Sequence, residues 1–95
     1  MKYKDWYDRS SASEKGGLDQ DAFIRTADRF VTLANTLNRK VIASDLQFAM
    51  IFATARYSAH VGKNVMEIDN QENYINHLVN QYRDMLRENF ADPAV

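Results

Sequence analysis

Ninety-five residues bound the chain to one domain, near the lower end of what folds alone. Apolar residues make up 45% of it and aromatics 12%, which permits a core and argues against global disorder. A net charge of −1 gives no basic surface for nucleic acid or an anionic membrane, and the absence of cysteine excludes disulfides, thiolate metal sites and cysteine nucleophiles.

The chain opens Met1-Lys2-Tyr3-Lys4-Asp5-Trp6-Tyr7, charged and without an apolar run, so no secretory signal is read there and the default compartment is cytoplasmic. Residues 1–18 mix Lys, Asp, Arg, Ser and Glu and close around Gly16-Gly17, which reads as a flexible N-terminal arm. Trp6 sits among Tyr3 and Tyr7 in that arm and is a candidate to dock on the helices or on a partner. A single helical domain is expected over 19–92.

The first helix is predicted over 19–39. Phe23, Ala27, Phe30, Ala34 and Leu37 recur at alternating spacings of four and three, which places them on one face. Asp19 or Asp21 can cap its start, and acids there suit the helix dipole. The second helix is predicted over 44–62. Ser44-x-x-Gln47 is a capping-box pattern, and Gly62 reads as a left-handed terminator. Between them the segment is apolar nearly all round: Leu46, Met50, Tyr57 and Val61 share one side, Phe48 and Phe52 another. Gln47, Arg56 and His60 interrupt it, so it does not read as a membrane span. The third helix is predicted over 69–91, from the capping-like Asp69-x-x-Glu72 to Asp92-Pro93, with Ile75, Leu78, Val79, Tyr82, Met85 and Leu86 in one stripe. No segment has the period-two alternation of a strand.

Short connections between these segments favour antiparallel packing. The expected fold is all-α, a three-helix bundle with a mostly buried second helix. Because that helix is apolar on every side, a homodimer near its axis is expected to complete the cover, and Phe48 and Phe52 are interface candidates.

The residues that could carry chemistry begin with Arg56, Tyr57 and His60 on the second helix. Arg56 and His60 are four apart and emerge on one face. An arginine in such apolar surroundings must reach solvent, an internal carboxylate or an anionic ligand, because burying it unpaired costs several kcal/mol. Asp28 and Glu88 are its candidate partners, and Asn35 shares the flank of Asp28. Tyr82 sits within the apolar stripe, so its hydroxyl needs a partner if it is buried. The structural reading of this set is a bridged or snorkelling arginine; the functional reading is a ligand site. His60 and His77 are the only histidines and have no spacing that would hold zinc, so no metal is expected. His77 is read on the polar face of the third helix. No residue is assigned as catalytic, and no phosphate loop or dinucleotide fingerprint appears, so no cofactor is expected.

Three segments carry a family likeness: Phe23-x-x-x-Ala27-Asp28-Arg29-Phe30-Val31-x-Leu33-Ala34-Asn35, Ala55-Arg56-Tyr57-Ser58-Ala59, and Tyr82-Arg83-x-Met85-Leu86-x-Glu88-Asn89. Together they resemble DUF3144, a small bacterial family of unknown function, over about 21–92. The resemblance stops at the arm and departs at Ser58, where the family pattern has Asn. It implies a helical cytoplasmic bacterial protein and brings no activity, cofactor or catalytic residue with it.

The function expected on these grounds is a non-enzymatic helical interaction module, binding itself or another protein, with neither nucleic acid nor membrane as partner. The alternative is a small-molecule or anion-binding protein, or a minor enzyme, with its site around Arg56 and His60.

Overall fold

The computed structural model describes residues 18–95; the reading of Trp6 and of the arm lies outside the described residues. Three helices follow in order, α1 (Gln20–Leu37), α2 (Ala43–Asn64) and α3 (Gln71–Ala91), and there is no strand among the described residues.

Each helix start has a local cause. Asp19 caps α1, its Oδ1 accepting from the Ala22 N–H at 2.8 Å, while Asp21 adds charge to the first turn. At α3 the cap falls on Asn70, whose Oδ1 accepts from the Asn73 N–H at 3.1 Å, one residue beyond the expected Asp69. The expected capping box of α2 is not formed. That helix begins a residue earlier at Ala43, Ile42 holds the cap position in extended conformation without a side-chain bond, and Ser44 lies inside the first turn. At the other end α2 continues past Gly62 to Asn64. Helix α3 stops at Ala91, immediately before Asp92-Pro93, as the restriction on the residue preceding proline requires.

Burial is where expectation and structure part. Among the described residues the core consists of Leu46 and Tyr74, together with the backbone of Gly62, and no side chain is completely enclosed. The second helix is therefore not mostly buried. Phe48 is 74% exposed and Phe52 65%. The physical reason is supply. Two neighbours cover only part of a helix circumference, and large apolar side chains of α2 are left exposed on more than one side. Helix α1 has no buried residue, although its apolar face is the best segregated of the three.

The hydrophobic content is ordinary. Its burial is not.

A groove between the second and third helices

One tertiary joint fixes how α2 and α3 meet. Tyr74, in the first turn of α3, is 5% exposed and donates its hydroxyl to the Ser58 carbonyl of α2 at 2.7 Å. Its ring lies against Gly62, four residues further along α2, so Ser58 and Gly62 present the same face to it. A Cβ at Gly62 would stand 2.7 Å from Tyr74 Cε2 and 3.1 Å from Cζ, well inside van der Waals contact. Glycine is thus required at 62 for close approach, and not, as the sequence suggested, to end the helix. The apolar surroundings raise the Tyr74 phenol above its ordinary value of 10.0 by desolvating the phenolate.

That shift has a sign. A phenol that holds its proton more tightly when folded supports stability at pH values below 10, and the support is lost as pH rises through the raised folded-state value. Alkaline titration of unfolding free energy should show this loss, and Tyr74→Phe should remove that component of the slope. At neutral pH the same variant should cost about 1 kcal/mol, the usual net worth of one hydrogen bond, as read by urea denaturation.

Beside this joint α2 and α3 together line an open groove of about 720 Å³. Met50, Ile51, Thr54, Ala55 and Ser58 line one wall, and Ile75, Leu78, Val79 and Tyr82 the other. Along this wall Tyr74 is 5% exposed, whereas Val79 is 49% and Tyr82 52% exposed. The polar residues on the lining are few, chiefly Gln47, Lys63 and Gln71. No residue of α1 lines the groove. Such a surface is suited to an apolar helix and offers little to a charged ligand.

The sequence-predicted site residues do not come together as one site. Tyr82 is on the groove wall, half-exposed, where water can reach its hydroxyl. Arg56, Tyr57 and His60 are exposed on α2 and none lines the groove. Tyr57 and His60 form a tilted ring pair with centroids 5.9 Å apart, and His60 Nδ1 lies 3.2 Å from Asn64 Nδ2, within hydrogen-bond reach. Arg56 forms no ion pair with any described residue, Asp28 and Glu88 included, and solvent satisfies it. Asp28 and Asn35 are exposed on α1. His77, expected on a solvated face, is half-buried instead, because it stands one turn from Tyr74 on the packed side of α3.

Sequence reasoning missed Tyr74 and gave Gly62 a different role, that of ending the helix. The groove wall on α3 was visible as the stripe from Ile75 to Leu86; its opposite wall was not. Among the described residues no three His, Asp or Glu side chains cluster as metal ligands would, and no helix is long and apolar enough to cross a membrane.

Among curated proteins and among solved structures, nothing matches this chain. A family profile described as "Protein of unknown function (DUF3144)" matches residues 23–94, which takes in nearly all of α1, the whole of α2 and α3, and both walls of the groove. The chain belongs to the DUF3144 family.

Proposed function

We propose that this protein is a non-enzymatic helical interaction module that works by self-association through the apolar faces its own fold leaves uncovered. One observation carries the proposal. All three helices expose large apolar side chains, among them Phe30, Phe48, Phe52, Tyr57, Val79 and Phe90, while the described residues enclose only Leu46 and Tyr74. Monomeric soluble proteins seldom expose contiguous apolar patches beyond a few hundred Å².

Small helical chains that cannot build a sufficient core alone commonly gain one by oligomerising. A second copy is the partner always at hand. It brings the same apolar surface, and the two faces can be hidden in one step.

Light scattering behind size exclusion tests this. A mass of twice 11.0 kDa, or a higher whole multiple, is expected at tens of micromolar. A strict monomer at high micromolar concentration, with a fully cooperative unfolding transition, would remove the proposal.

A further inference from the structure

We infer that a second copy docks antiparallel along α2, with Phe48 and Phe52 of each chain seated on Ala59 and Ala55 of the other. The inference rests on the self-association proposed above and names its surface, direction and register.

The surface is a seam on α2. Phe48, Phe52, Ala55 and Ala59 follow at spacings of four, three and four, the repeat that keeps one stripe of a helix against a neighbouring helix. All four are exposed in the single chain. Both rings lie in the N-terminal half of the seam and both methyls in the C-terminal half. That order is self-complementary in one direction only. A two-fold axis crossing α2 midway between Ala53 and Thr54 sets Phe48 level with the partner's Ala59 and Phe52 level with the partner's Ala55, ring on methyl in every layer. A parallel pair would set ring against ring and methyl against methyl, crowding one end and leaving a gap at the other.

Charge selects the same direction. Asp45 and Lys63 are about five full turns apart at 3.6 residues per turn, so they share one edge of α2 at its opposite ends, and both are exposed. The same two-fold brings Asp45 of each chain to Lys63 of the other, whereas a parallel pair would stack like on like. Side-chain volume and charge are independent features, and they agree on direction and register. Ala55 and Ala59 also line the α2–α3 groove, so the partner's α2 lies over the edge of the groove and its phenylalanines exclude water there. The arrangement is closed, and no seam is left to propagate a fibre.

The chain has no cysteine, so introduced thiols report contacts without interference. Asp45→Cys and Lys63→Cys, on differently tagged chains, would be co-expressed and treated with a short bismaleimide. Neither position is on the seam itself, so the apolar contacts are kept. The expected product is a mixed cross-linked dimer carrying both tags, roughly tenfold or more in excess over either homodimer. Sedimentation equilibrium of a volume exchange checks the register. Ala55→Phe alone should weaken association by roughly tenfold or more, because two rings then meet in one layer. Adding Phe52→Ala to the same chain should bring Kd back to within about threefold of wild type, since ring and methyl have traded sides.

Three results would overturn the inference and leave self-association standing. Cross-linked homodimers of Lys63→Cys in place of mixed ones would mean that the helices run parallel. A double variant no tighter than Ala55→Phe alone would mean that positions 52 and 55 do not face each other. A light-scattering dimer with no mixed cross-link would mean that another surface pairs. A light-scattering monomer removes both the inference and the self-association beneath it.

Discussion

Val79→Glu is expected to weaken self-association more than a hundredfold and to leave a chain that unfolds without a sharp transition at micromolar concentration. Val79 lines the groove and is half-exposed in the single chain, so a carboxylate there is hydrated as long as the groove is open. Helix α3 itself tolerates the change. A glutamate at 79 stands four residues before Arg83, the favourable order for a helical ion pair worth about 0.3–0.5 kcal/mol. Local structure is thus neutral or slightly improved by the substitution.

The penalty arises only when a second chain closes over the groove and dehydrates an unpaired carboxylate. That costs several kcal/mol, and in a two-fold dimer it is met twice. Sedimentation equilibrium of the variant beside wild type reads the change in Kd directly. Arg87→Glu, on the polar side of the same helix, should alter it less than threefold. If Val79→Glu associates as tightly as wild type, the groove is open to water in the assembled protein.

The second large effect is at the joint. Gly62→Ala is expected to destabilise by about 1–2 kcal/mol in urea denaturation, against the trend for glycine within a helix. Alanine has the better helix propensity by about 1 kcal/mol, and in an open helix it would stabilise. Here the new methyl meets the Tyr74 ring at 2.7 Å. That ring cannot simply swing away, because its hydroxyl is tied to the Ser58 carbonyl and the residue is buried. Overpacking of this kind costs about 1–3 kcal/mol, and the moved ring surrenders its hydrogen bond as well. The clash outweighs the propensity.

A double-mutant cycle separates the two terms. In a Tyr74→Ala background the obstacle is gone, and Gly62→Ala should change sign to become stabilising by about 1 kcal/mol. Were Gly62→Ala stabilising in both backgrounds, the close approach of α2 and α3 at this point would be wrong.

How much of this was legible beforehand follows from what each signal depends on. Asp19 as a cap and the stop at Asp92-Pro93 are local chemistry, settled within four residues, and the sequence displays them. The seam of α1 and the stripe of α3 are periodicities and were equally visible. Ser44 misled because a capping box is one of several ways to start a helix, and the chain begins α2 a residue earlier at no evident cost.

Gly62 misled for a different reason. A glycine near a helix end serves equally to terminate it or to admit a neighbour, and the choice depends on Tyr74, twelve positions away. A single sequence does not pair them. The apolar girth of α2 carried a true message, that its faces need cover, and concealed who supplies it. Phe48 and Phe52, the interface candidates, are exposed in the single chain, so no neighbour within the described residues covers them. Arg56 changes accordingly, since its need for a dedicated partner lapses once solvent reaches it.

Whether two chains share a core is decided by how thermal unfolding depends on chain concentration. If two chains share one core, raising the concentration a hundredfold adds about 2.7 kcal/mol of stability per dimer and should lift Tm by about 5–10 °C. A cooperative transition whose midpoint is the same at both concentrations would contradict the claim, because these three helices would then hold together with their apolar faces open to water.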